Sequence, residues 1–105
     1  MQIVHQKGLL MHVPPGFSIV TPYVFVNGAE AYLAFLKQAL GGIERGRSLR
    51  PDGKIANAQI AFGTSTVMVS EAQVDFPASR AAFYLYVEDA DSAFERAIAS
   101  GAAAG

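Results

Sequence analysis

His5 and His12 are the only imidazoles in this 105-residue chain, and it holds no cysteine. Thiolate nucleophiles, disulfides and cysteine-based zinc or iron–sulfur sites are thereby excluded, and imidazole chemistry would have to use those two positions. Both histidines precede the first segment that patterns as a folded element, so they read as solvated tail residues. Glu88, Asp89, Asp91 and Glu95 form an acidic group. Paired carboxylates can exchange protons in general acid–base catalysis, but at the start of a helix they favour the positive end of its dipole, and capping is the simpler reading. Arg45, Arg47, Arg50 and Lys54 border a hairpin. They could steer an anion, yet charges on an edge strand more commonly discourage strand pairing. No glycine run is followed by Gly-Lys-Ser/Thr, so no phosphate loop is present.

Composition sets the frame for these residues. The chain is 51% hydrophobic and 16% charged, with a net charge of −1. That fits one globular domain and gives no electrostatic footprint for nucleic acid or an anionic membrane surface. No apolar run approaches the roughly 18 residues of a membrane span. Residues 1–13 carry Lys7 in their middle and lack the apolar core of a signal peptide, so a cytoplasmic protein is expected.

The elements follow from periodicity and punctuation. Residues 1–16 read as an N-terminal extension closed by Pro14-Pro15-Gly16, and residues 17–105 as a single domain. Residues 19–26 are β-branched and aromatic and predict a strand, placed at an edge by Pro22. Asn27 is expected to cap a helix with Glu30 reaching back as in a capping box; Tyr32, Leu33, Phe35, Leu36 and Leu40 recur at helical spacing, and Gly41-Gly42 stops it. Strands are expected over 43–49, 55–62 and 66–70, joined by Arg50-Pro51-Asp52-Gly53 and Gly63-Thr64-Ser65. On the middle strand Ala56, Ala58, Ile60 and Phe62 are assigned to the helix side, leaving Asn57 and Gln59 on the other. A polar linker over 72–81 leads to an expected strand at 82–87 and a helix capped by Asp89, with Phe94, Ala97 and Ile98 inward and Gly101 as its stop.

One constant offset relates Tyr23 to Tyr84, Val26 to Val87 and Ala29 to Ala90, and the order strand–helix repeats with it. This suggests a duplication: residues 17–71 form a complete β-α-β-β-β module and residues 82–105 the strand and helix of a second. A second copy matching the first would run about 30 residues further.

The segments PPGFSIVTPYVFVNGAEAYLAFLKQALGG, RPDGKIANAQIAFGTSTVMVSE and FYLYVEDADSAFERAIASGA resemble the PhnB-like branch of the glyoxalase/bleomycin-resistance (vicinal oxygen chelate) superfamily. The resemblance covers residues 14–102 and implies an α+β fold of paired β-α-β-β-β modules whose sheets curve into a ligand-holding cup. Metal-dependent members coordinate a divalent ion from cup-facing strand positions, which carry over here to Thr21, Met68 and Ala82, with a fourth beyond Gly105. None of these three is a suitable donor for a hard cation, so neither a metal nor another cofactor is expected.

By strand alternation Tyr23 and Phe25 share one face, as do Tyr84 and Tyr86, with aliphatic residues on the opposite face. The aromatics, together with Asn57, Gln59 and Met68, are therefore assigned to the cup as ligand-binding residues. The resulting expectation is a metal-free binder of a small apolar or aromatic molecule. The alternative is a metal-dependent lyase, isomerase or dioxygenase whose site is completed by further residues or a partner chain. A sheet edge left unpaired by the short second module leads to the expectation of a homodimer.

Overall fold

The computed structural model describes residues 13–102. The elements run β1 (Tyr23–Val26), α1 (Ala29–Leu40), β2 (Ile43–Leu49), β3 (Ile55–Phe62), β4 (Ser65–Glu71) and α2 (Ala90–Ala99). The strands form one four-stranded mixed sheet in the order β1-β4-β3-β2. β1 lies parallel to β4, and β3 pairs antiparallel with both β4 and β2. The fold is α+β, as expected. His5 and His12 lie outside the described residues.

α1 covers one face of the sheet. Leu33 and Leu36 pack with Val24, Ile55, Ala58, Ile60 and Val69, and Leu33, Ile60 and Val69 are fully buried. Burying side chains of this size contributes roughly 1.5–3 kcal/mol each. The helix ends as the glycine pair predicts: Gly41 takes the left-handed conformation at φ 74°, and the Gly42 N–H donates to the Leu36 carbonyl at 3.0 Å. Gly42 is also needed for space. A Cβ there would lie 2.7 Å from Ile60 Cδ1 and 2.8 Å from its Cγ1. Gly42→Ala is expected to destabilise the protein by about 1–3 kcal/mol, the usual cost of overpacking, read as a lower urea midpoint. An unchanged midpoint would show that Ile60 yields freely.

Five expectations are corrected. The first strand begins at Tyr23, not residue 19, because Pro22 offers no N–H and the Thr21 hydroxyl turns back to the Ser18 carbonyl at 2.9 Å. No capping box forms at α1. Gly28, at φ 82°, makes the turn, and two free amides go to a carboxylate at the end of the neighbouring strand β4, where Glu71 is paired with Val26: Gly28 N–H and Ala29 N–H donate to Glu71 at 2.9 and 2.8 Å. Glu30 instead pairs with Arg47, which also binds Glu44. On β3, Ile55 rather than Ala56 joins the core, since the register skips Ala56 between the pairs Ser48–Asn57 and Leu49–Ile55 and so reverses the alternation.

The fourth correction is the largest. Residues 82–87 form no strand, and Tyr84 and Tyr86 are 91% and 97% exposed. Alternation supplies strand propensity, but a strand also requires a neighbour, and the four-stranded ladder ends at β1 without one from this segment. α2 does form, with Asp89 capping through the Ser92 N–H at 3.1 Å, and it packs on α1, but Phe94 and Ile98, expected inward, are exposed, because α1 alone covers the sheet and leaves α2 no core to enter. The linker is more ordered than its polarity suggests. Ser79 meets the outer side of β1, its N–H donating to the Phe25 carbonyl at 2.9 Å and its Oγ accepting from the Phe25 N–H at 3.2 Å.

Candidate functional site

The sheet face turned away from α1 collects the neutral polar and aromatic side chains. Paired residues on neighbouring strands share a face, so the register builds two rows across the sheet. One runs Tyr23, Met68, Gln59, Gly46; the other contains the pairs Phe25–Ser70 and Asn57–Ser48. Five residues predicted for the site, Tyr23, Phe25, Asn57, Gln59 and Met68, are thus brought together. Tyr84 and Tyr86 are not among them.

The aromatic part is a stack. Tyr23 and Phe25 have ring centroids 4.7 Å apart at 19°, and Phe25 continues to Phe76 at 5.3 Å and 16°. Phe76 comes from the linker and is held there by reciprocal backbone bonds between Gln73 and Phe76 at 2.9 and 3.0 Å. No local pattern announced its role, because it reaches the face only through the fold of the linker. Ser70 was missed as well, although its alternation with Met68 was a usable signal.

The polar part is a chain of hydrogen bonds. The Tyr23 hydroxyl and Ser70 Oγ are 2.5 Å apart, and the Ser70 hydroxyl donates to the carbonyl of Ala56, the residue skipped in the β3 register. Asn57 Nδ2 donates to the Tyr23 oxygen at 3.3 Å and approaches Met68 Sδ at 3.7 Å. Gln59 Nε2 reaches Asn57 Oδ1 at 3.5 Å. No acid or base among the described residues hydrogen-bonds into this network.

The donor set required by a superfamily metal does not fit. Thr21 is tied to Ser18, Met68 is a thioether beside an amide, and Ala82 has no donor. Glu71, the carboxylate at the end of β4, is committed to the start of α1. The amides of Ala29 and Gly28 hold its carboxyl below the ordinary range. Among the described residues no three His, Cys, Asp or Glu side chains converge.

A groove of about 910 Å³ lies on the other side of the sheet, beside α1. Tyr32, Phe35, Leu40 and Phe62 line its floor, and the extended stretch carrying Tyr84 and Tyr86 forms one wall. We favour the aromatic face over this larger void as the candidate site, because the groove wall has no ladder bonds to hold it and its polar groups are only hydroxyls and backbone. No helix among the described residues is long and apolar enough to cross a membrane.

No family model and no solved structure matches the chain. Among curated proteins, an uncharacterised protein of Mycobacterium bovis is 27% identical over 105 positions, covering 90% of this chain and 67% of its own length. Uncharacterised proteins from two strains of Mycobacterium tuberculosis are likewise 27% identical over 90% of the chain, which spans 60% of their length. These relatives carry no stated activity to compare with the site.

Proposed function

We propose that the chain is a metal-free module of the glyoxalase/bleomycin-resistance type that binds a small apolar or aromatic molecule on the sheet face opposite α1, in the cytoplasm. The observation that carries this reading is the stack of Tyr23, Phe25 and Phe76 beside a network of uncharged amides and hydroxyls. Phe25 has a ring on either side, so a flat apolar ligand stacks on the outer face of Tyr23 or of Phe76, a contact worth about 0.5–1.5 kcal/mol beyond the area buried. The β-α-β-β-β order of the first five elements is the one the resemblance implies for a single module.

An open sheet cannot enclose a ligand, whereas small-molecule sites generally bury most of theirs. The second wall is assigned to another copy of the chain, in a homodimer. Light scattering after gel filtration is expected to report the dimer at micromolar concentration; a stable monomer defeats this part. Naphthalene titrated into labelled protein is expected to move the amide signals of Tyr23, Phe25 and Phe76, and Tyr23→Ala is expected to weaken binding about tenfold. Shifts confined to the groove beside α1 would relocate the site. Stoichiometric zinc, nickel, iron or manganese in the purified protein would instead favour the metal-dependent alternative.

A further inference from the structure

The hydrogen-bond network fixes the direction of its own protons. A carbonyl can only accept, so the single Ser70 proton goes to Ala56. The Tyr23 hydroxyl must then donate to Ser70, and its oxygen is left to accept from Asn57. The Asn57 amide cannot be turned over, because its carbonyl would face a phenol whose proton is already used. Its oxygen accepts from Gln59. The protons in this network therefore run from Gln59 towards the backbone of β3, and the inner groups have no O–H or N–H left to donate to a ligand, keeping only second lone pairs. Within the network a free donor and a free acceptor stand side by side only at its outer end, as the Gln59 Oε1 and the second Nε2–H.

Gly46 leaves that end uncovered. It is paired with Gln59 across the β2–β3 ladder, where any other residue would set its side chain alongside, and a Cβ at Gly46 would lie 3.8 Å from Gln59 Oε1. The row Tyr23, Met68, Gln59, Gly46 thus offers a ring platform, a soft thioether, one amide and an empty seat.

We propose that the ligand is a neutral planar ring with an amide edge, a lactam or an aromatic carboxamide, and that Gln59 selects it by a paired donor and acceptor. This rests on the aromatic face being the binding site. The ligand N–H meets Gln59 Oε1, its carbonyl takes the free Nε2–H, and its ring lies towards Tyr23. A carboxylate in place of the amide finds no cation in the network to receive it. A bare hydrocarbon leaves the Gln59 groups covered and unpaired, which is how sites built to hydrogen-bond reject an analogue that cannot.

The test compares isoquinolin-1-one, naphthalene and 1-naphthoate by NMR titration of the full chain. The lactam is expected to bind about tenfold more tightly than naphthalene and than 1-naphthoate, the difference one neutral hydrogen-bonded pair supplies. Gln59→Leu is expected to bring lactam and naphthalene within about twofold of each other, and Gly46→Val to act likewise by covering Oε1. Equal binding by the unaltered protein, a lactam preference that survives Gln59→Leu, or tighter binding of 1-naphthoate would each overturn the selection by Gln59 and leave the face as a binding site. Failure of all three probes to move Tyr23 or Phe25 would overturn both.

Discussion

Leu33→Ala is expected to destabilise the protein by about 2–5 kcal/mol, the range for emptying a fully buried leucine site. Leu33 sits in the middle of α1 with no exposure, against Ile60 and Val69, which are equally enclosed. The spread in that range reflects how far the surroundings collapse, and here there is little to collapse inward. A single helix covers the sheet, and α2 contributes no buried residue of its own. Because domains are stable by only about 5–15 kcal/mol, the change takes a large share of the total. Urea unfolding checks it: the midpoint falls while the slope is retained. A midpoint equal to that of the unaltered protein would mean that α1 does not hold the sheet as the packing indicates.

Removing the Glu71 carboxylate is expected to cost about 1–2 kcal/mol in Glu71→Ala, at the upper end for a helix cap because both bonds are charge-assisted. The residue joins the end of β4 to the start of α1, so its loss loosens a tertiary contact as well as a helix terminus. The same contact predicts the pH response. A carboxyl whose folded pKa lies below its unfolded value stabilises the protein above the unfolded value, and that contribution disappears as pH falls through the folded one. Glu71 is lowered by the Ala29 and Gly28 amides. Glu44 acts in the same sense, lowered from 4.5 to about 2 chiefly by its hydrogen bond from Arg47. Stability should therefore hold at neutral pH and decline from about 4.5 downward. Glu71→Gln retains one acceptor and discards the charge, so its decline should be shallower. Parallel pH curves for Glu71→Gln and the unaltered protein would remove Glu71 from this account.

What was legible in the sequence was what local chemistry decides. β2 and β3 have the expected bounds because Pro51, Gly53 and Gly63 punctuate them, and Asp89 caps α2 as its position in the chain suggests. The shared face of Tyr23 and Phe25, and that of Asn57 and Gln59, follow from the two-residue period of a strand. The α1 cap was not legible, because Glu71 is distant in sequence and meets Gly28 only once β1 and β4 are parallel neighbours. Ala56 was misassigned because an irregular register reverses alternation without leaving a mark in composition. For residues 82–87 the pattern was sound, but pairing depends on a second strand that no property of this one can supply. Phe76 joined the aromatic stack from a linker whose polarity concealed it.

The Ser79–Phe25 contact affects how quickly anything can join the sheet. Along β1 the Pro22 and Val26 carbonyls bind β4, so by alternation the peptide groups of Tyr23 and Phe25 point outward, and both groups of Phe25 are occupied by Ser79. An arriving strand must wait for those bonds to open. Once the arriving chain is plentiful, the rate of addition at β1 becomes that of the opening itself, a first-order process indifferent to protein concentration. The contact therefore guards this edge, since any strand adding at β1 would lose affinity as well as speed to the opening.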